Sequence, residues 1–158
     1  MKQQPLFSLR PATGADSDFF YMVKKTVLRK YIEEIWGWDE DFQRDYHAQN
    51  YNAAVTYIVI SGDDAIGTIE VKEGETEIFI SGLYLLPACQ GKGVGSGIIN
   101  TYIQKAFTNN KRVALEVLKL NTGAQKLYKR FGFKLQERDD IKYFMYKDCT
   151  NEQDKTGI

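Results

Sequence analysis

Leu83-Tyr84-Leu85-Leu86-Pro87-Ala88-Cys89-Gln90-Gly91-Lys92-Gly93-Val94-Gly95-Ser96 is the stretch on which the reading of this chain turns. It begins as an apolar, strand-like run and breaks at Pro87. It then passes through a cluster of glycines into a segment whose apolar residues, Val94, Ile98, Ile99, Tyr102, Ile103, Ala106 and Phe107, recur at helical spacing. The first amides of a helix have no partner inside the helix, and the helix dipole is positive at that end. Glycines let a bulky anion approach those amides. The stretch is therefore expected to cradle a phosphate or diphosphate. Two common phosphate loops do not fit. A G-x-G-x-x-G dinucleotide loop counted from Gly91 puts Ser96 at its third glycine, and counted from Gly93 it puts Ile98 there. A Walker loop needs glycine at Leu86 and Ser or Thr at Gly93.

Working outward, Phe7 to Arg10 reads as a short strand, broken by Pro11 and Gly14, with Asp16 a candidate helix cap. Phe20, Val23, Val27, Tyr31 and Ile35 form one helical stripe up to Gly37, and a second helix is expected from Asp39 through Tyr46. Ala54–Ile60, Ala65–Val71 and Glu77–Leu85 read as three strands, separated by Ser61-Gly62-Asp63-Asp64 and Glu73-Gly74-Glu75. After the glycine loop and its helix, which Asn109-Asn110 ends, Val113–Leu118 reads as a buried strand. A short helix follows from Asn121, with Ala124, Leu127, Tyr128 and Phe131 on one side and Gly132 as its stop. Phe133–Glu137 and Tyr143–Tyr146 form a final hairpin around Asp139-Asp140. The order β-α-α-β-β-β-α-β-α-β-β predicts a mixed, mostly antiparallel α/β (α+β) sheet of about six to seven strands packed with about four helices.

The chain has 158 residues, which suits one domain, expected over residues 1–149 with a polar tail at 150–158. Lys plus Arg and Asp plus Glu are both 21, which argues against a dedicated nucleic-acid binder. The start, Met1-Lys2-Gln3-Gln4-Pro5, has no signal-peptide core, and no apolar run approaches the roughly 20 residues of a membrane helix. Two cysteines, Cys89 and Cys149, and one histidine, His47, are too few for a zinc site or a disulfide framework. A cytoplasmic protein without metal, nucleic-acid or membrane partners is expected.

Gln90-x-x-Gly93-x-Gly95 after a strand resembles the acyl-CoA loop of the GNAT acetyltransferases (Gcn5-related N-acetyltransferases). Further on, Leu115-Glu116-Val117-Leu118-Lys119-Leu120-Asn121-Thr122-Gly123-Ala124-Gln125-Lys126-Leu127-Tyr128-Lys129-Arg130-Phe131-Gly132-Phe133 resembles the GNAT signature L-x-V-x-x-x-N-x-x-A-x-x-L-Y-x-x-x-G-F at every fixed place. The order of elements is similar to that of the superfamily from about Phe7 to Asp148. The Leu115-Glu116-Val117 setting also resembles the ribosomal-protein N-terminal acetyltransferase branch.

The resemblance implies acetyl-CoA as co-substrate. Gln90, Gly91, Lys92, Gly93, Val94, Gly95 and Ser96 would hold its diphosphate. Leu83, Tyr84 and Leu85 would lie along the pantetheine arm, where the third meander strand and the strand of Glu116 splay apart. Asn121 would bond the arm or nearby backbone. Tyr128 would protonate the departing thiolate, and Glu116 would be the general base, with Glu70 or a water chain as alternatives. Each residue also has a plainer reading: Asn121 as a helix cap, Tyr128 as a core aromatic, and Glu116 as a solvated group or the partner of a lysine.

The chemistry has fixed requirements. A lysine-type amine has a pKa near 10.4 and an α-amine about 7.7–8.0, so attack on a thioester needs a group that removes a proton. An amide of the Leu83–Leu85 edge would stabilise the oxyanion. The acceptor is expected to be a small-molecule amine or a peptide or protein amine. Tyr31-Ile32-Glu33-Glu34-Ile35-Trp36-Gly37-Trp38-Asp39-Glu40-Asp41 combines acid and indole that would attract a cation, or that merely solvate a helix junction. A non-catalytic acyl-CoA sensor or scaffold is the alternative function, and a homodimer is compatible with either.

Overall fold

The computed structural model describes residues 6–150. In chain order it contains β1 (Ser8–Pro11), α1 (Ser17–Ile35), α2 (Glu40–Asn50), β2 (Thr56–Ser61), β3 (Asp64–Glu73), β4 (Glu77–Leu85), α3 (Val94–Asn109), β5 (Arg112–Leu118), α4 (Thr122–Arg130), β6 (Lys134–Glu137) and β7 (Lys142–Asp148). The strands form one seven-stranded sheet in the order β1-β2-β3-β4-β5-β7-β6. Pairs β1–β2, β2–β3, β5–β7 and β6–β7 are antiparallel, and β4–β5 is parallel. A parallel pair needs a long crossover, which α3 supplies. The expected fold class and element order are present. Apart from Thr150, the expected tail lies outside the described residues. Among them no helix is long and apolar enough to cross a membrane.

Contacts group the chain into two compact units, Met1–Glu70 with Leu83–Val94 and Val71–Gly82 with Gly95–Ile158. In the first unit β1 pairs along β2 from Ser8↔Ile60 to Pro11↔Tyr57, and β2 pairs along β3 from Thr56↔Glu70 to Ser61↔Asp64. Ile58, Val59 and Ile69 are fully buried and Ile66 nearly so, as a β-branched sheet interior requires. Helix α1 buries Phe20, Tyr21, Val23 and Leu28, so its apolar stripe is fully buried only in its first half. Gly37, at φ +81, accommodates the turn that ends it, with its amide on the Glu33 carbonyl.

Two local expectations change. Asp16 does not cap α1 with its side chain. Instead Thr13 and Asp16 form a capping box on the preceding 3-10 turn, and the Asp16 carboxylate also takes a bidentate bond from Arg10 at 2.9 and 3.0 Å. A carboxylate that can receive a planar guanidinium gains two charge-assisted bonds rather than one amide bond. Asp39, by contrast, does cap α2 by accepting from the Phe42 amide, and α2 runs on to Asn50, beyond the expected Tyr46.

In the second unit the parallel register of β4 on β5 runs from Glu77↔Arg112 to Ile80↔Leu115. On its other side β5 pairs with β7 over its full length, from Arg112↔Asp148 to Leu118↔Lys142. Ile78, Ile98, Ile99, Val113, Ala114 and Met145 have no exposed surface. Phe107, expected on the buried face of α3, is 52% exposed, because the last turn carries it onto the flank one residue past buried Ala106. Gly132, at φ +88, closes α4, with its amide bonded to the Lys129 carbonyl and that of Phe133 to the Tyr128 carbonyl.

Gly67 is closely enclosed in the first unit. A Cβ there would collide with the Tyr84 carbonyl oxygen and lie 2.7 Å from Leu85 Cδ2. The neighbour is backbone, so it cannot swing aside. Gly67→Ala is expected to lower unfolding stability by about 1–3 kcal/mol, the usual cost of overpacking. Urea denaturation would measure it, and a neutral result would mean that β3 and β4 separate more freely than this packing allows.

Candidate active site

Gln90 to Val94 belong to the first unit, and from Gly95 onward α3 belongs to the second. Buried Leu85 ends β4, and the Leu86 amide bonds the Ile66 carbonyl at 2.9 Å, which fixes where the chain leaves the sheet. Pro87–Cys89 forms a 3-10 turn. The Gln90 side chain then reaches back, Nε2 donating to the Leu85 carbonyl at 2.9 Å. Gln90 therefore braces the loop through its side chain. Gly91 and Gly93 have φ of +74 and +88, in the region that side chains disfavour. A Cβ on Gly91 would meet nothing within 4 Å, and one on Gly93 would touch only Leu6 Cδ2 at 3.6 Å. Glycine is thus required here by backbone conformation, with open space left over the loop. Gly91, Lys92 and Gly93 are exposed, Val94 is buried as the anchor of α3, and Gly95 and Ser96 are half-buried. No acidic residue occupies the first turn of α3, so the positive end of the 16-residue helix is not neutralised from within. Left-handed glycines, exposed amides and a helix start fit a diphosphate.

Glu116, Asn121 and Tyr128 belong to the second unit. Glu116 lies on β5 directly across from Phe144 of β7. Its carboxylate is held by Arg138 Nη1 at 2.5 Å and Lys142 Nζ at 3.5 Å. Asn121 caps α4, its Oδ1 accepting from the Ala124 amide at 3.1 Å. Tyr128 is buried, with its ring 5.8 Å from that of Phe133. Burial pushes its pKa up to about 12, so the phenol keeps its proton at neutral pH. Glu70, the alternative base, lies on β3 opposite Thr56 in the first unit.

Sequence reasoning missed Gln125 and the Arg138 partner of Glu116, while a lysine partner of Glu116 was among its plainer readings and is found in Lys142. Buried Gln125 donates through Nε2 to the Leu118 and Lys119 carbonyls, at 3.1 and 2.9 Å, and so fixes the end of β5. It stands at a variable place of the signature, and only its polarity on an otherwise apolar helix face hinted at a buried bond. The Arg138–Glu116–Lys142 cluster joins residues on β5, the β6–β7 turn and β7, a pairing visible only in the register. Among the described residues no group of three or more His, Cys, Asp or Glu side chains converges as a metal site would require.

Residues 22–133 match the Acetyltransferase (GNAT) family. The chain belongs to the GNAT family. It is 31% identical, over 123 residues, to an uncharacterized N-acetyltransferase of Methanocaldococcus jannaschii, covering 76% of this chain and 51% of that protein. This GNAT chain thus spans about half the length of the curated relative it matches. Its fold is similar to that of PaiA N-acetyltransferase from Thermoplasma acidophilum in complex with coenzyme A, with a TM-score of 0.71, 17% identity, and 90% and 98% of the two chains covered. It is also similar to Arabidopsis thaliana Naa50 in complex with a bisubstrate analogue, with a TM-score of 0.64, 19% identity, and 91% and 99% covered.

In this GNAT chain two acids of the Tyr31–Asp41 segment, Glu33 and Glu40, are paired with the chain's own cations. Glu40 accepts from Lys25 Nζ at 2.8 Å, Trp38 Nε1 at 2.7 Å, Tyr21 Oη at 3.0 Å and Arg44 Nε at 3.1 Å. Lys25 and Arg29 lie over the Trp38 ring, 5.8 and 5.4 Å from its centroid, and Arg29 also pairs with Glu33. The hydrogen bond from Lys25, followed by that from Trp38, holds the Glu40 pKa at about 2, against an ordinary 4.5. A depressed carboxylate stabilises the fold above its ordinary pKa, and the gain disappears as pH falls through the folded value. Glu40→Gln is therefore expected to lower Tm at pH 6. The gap from wild type should narrow between pH 4.5 and 2 in thermal melts, and a gap independent of pH would contradict the ionic role.

Proposed function

We propose that the chain is an acetyl-CoA-dependent N-acetyltransferase that moves an acetyl group to a primary amine, small-molecule or peptide, within a ternary complex. The glycine loop carries this reading: two left-handed glycines, open space above them, and the acid-free start of α3. The family match crosses both units and supports treating 1–149 as one acetyltransferase domain. Both cysteines are free, in keeping with a cytoplasmic setting.

Gln90 to Ser96 would bind the diphosphate through main-chain N–H groups, with Lys92 adding positive charge to the exposed loop. Leu83–Leu85 would line the pantetheine arm. β4 continues to Leu85 beyond its last register pair with β5, Ile80↔Leu115. Bound acetyl-CoA supplies the activated acyl group. Asn121 sets the start of α4, which carries Tyr128. Tyr128, kept protonated by burial, is the proton donor to the leaving sulfur. Glu116 is the proton acceptor for the amine, with Glu70 or water as the alternative.

Calorimetry with acetyl-CoA tests the binding half, and free-thiol release over an amine panel tests turnover. Binding without turnover of any amine would favour an acyl-CoA sensor. Gly93→Ala must adopt a φ costing about 1–2 kcal/mol and should weaken acetyl-CoA binding by about tenfold. Tyr128→Phe should reduce kcat by about a hundredfold or more, the scale of general-acid assistance, with acetyl-CoA affinity preserved. An unchanged kcat would remove Tyr128 from the chemistry.

A further inference from the structure

We infer that the acceptor carries a carboxylate next to its amine, as a free α-amino acid does, and that this carboxylate takes Arg138 away from Glu116. The inference rests on the acetyltransferase reading and deepens it by naming the substrate class.

In the folded chain Glu116 is not an available base. Its two oxygens are held by Arg138 at 2.5 Å and Lys142 at 3.5 Å, and its side chain is only 20% exposed. A carboxylate flanked by two cations has its charge compensated. A simple monoamine would have to compete with both cations for one carboxylate and would leave a guanidinium unpaired, which is costly. A substrate that brings its own carboxylate avoids that cost. Its carboxylate replaces Glu116 on Arg138, and its ammonium replaces Arg138 on Glu116. The number of ion pairs rises while no charge is stranded.

The surroundings match such an exchange. Arg138 and Lys142 are 49% and 42% exposed, so an incoming anion can reach them. Asp139, in the same turn, accepts the Ile141 and Lys142 amides on Oδ1 at 2.8 and 2.7 Å, and its charge adds to that of Glu116 beside Arg138 and Lys142. Phe144 lies directly across from Glu116 and stacks on Tyr146, with ring centroids 6.1 Å apart. The guanidinium of Arg112 already sits 5.6 Å from Phe144 and 5.4 Å from Tyr146, so these rings take cations. An ammonium at Glu116 would thus meet a carboxylate and an aromatic neighbour, with two cations beside it for the attached carboxylate. Because both cations contact the same carboxylate, amine and carboxylate must be close together in the substrate. Once paired, the ammonium passes one proton to Glu116, giving a neutral amine with its lone pair free and a protonated Glu116.

The test compares each proteinogenic L-α-amino acid with its own carboxamide and with a pentapeptide beginning with that residue, by free-thiol release. For at least one amino acid, kcat/KM should exceed that of its amide and peptide by about tenfold to a hundredfold, the weight of a charged hydrogen bond. Arg138→Gln should collapse the acid-to-amide ratio towards one, and Arg138→Lys should restore part of it. Equal rates for acid and amide, faster peptides, or a ratio untouched by R138Q would overturn the inference. A second arm needs no turnover: NMR titration of the Arg138 side-chain Nε–H should shift saturably with the amino acids and not with their amides. The absence of that discrimination overturns the inference even if no amine is acetylated. Loss of acetyl-CoA binding by calorimetry would instead overturn the acetyltransferase reading, so the two failures are separable.

Discussion

A loop that offers main-chain N–H groups to an anion has to give up side chains where the anion sits, and Gly91 and Gly93 meet that constraint. Both occupy the left-handed region, and neither is crowded by its surroundings. The demand is on the direction of the peptide groups. Two devices keep so permissive a stretch from wandering. The Gln90 amide is bonded to the Leu85 carbonyl, and Val94 is buried at the start of α3. Between those anchors the backbone is exposed, and a 16-residue helix begins there with no acidic residue in its first turn. The proposed role of coenzyme A depends on this short piece of backbone.

The second unit solves a different problem, holding ionisable groups in defined states. Tyr128 is kept neutral by desolvation, the mechanism that disfavours a charged phenolate. Glu116 is kept in place by the opposite means, two cations brought from the β6–β7 turn and from β7. Gln125, fastening two carbonyls at the end of β5, ties the start of α4 to the strand that carries Glu116. Position is thus set by packing and by ion pairs that sequence neighbours do not provide, and burial keeps the Tyr128 phenol protonated.

Between α1 and α2 the chain's own groups take up part of the acidic run that composition suggests as bait for a cation. Glu33, Asp39 and Glu40 are an ion-pair partner, a helix cap and a four-donor acceptor. Trp38 is covered by Lys25 and Arg29. Three of the five acids in that run, Glu33, Asp39 and Glu40, are thus engaged by the protein's own residues.

The linear order of residues was enough to determine the elements and the family. Glycine loops and helix stops are local, because φ at Gly37, Gly93 and Gly132 is a property of single residues and their neighbours. Alternation and helical spacing expose β2 to β5 and α3 in the same way. The cap of α4 at Asn121 and the burial of Tyr128 were legible for that reason, since both belong to one amphipathic turn of chain. What only the tertiary structure decided is who pairs with whom across strands and helices. Lys142 reaches Glu116 because β7 lies antiparallel to β5 in one register, and a slip of one residue would turn that side chain to the other face, while Arg138 comes to it from the β6–β7 turn. Asp16 chose Arg10 over the helix end, and Glu40 gathered donors from α1, α2 and the connection between them, because electrostatic partners are selected by distance in space and not along the chain.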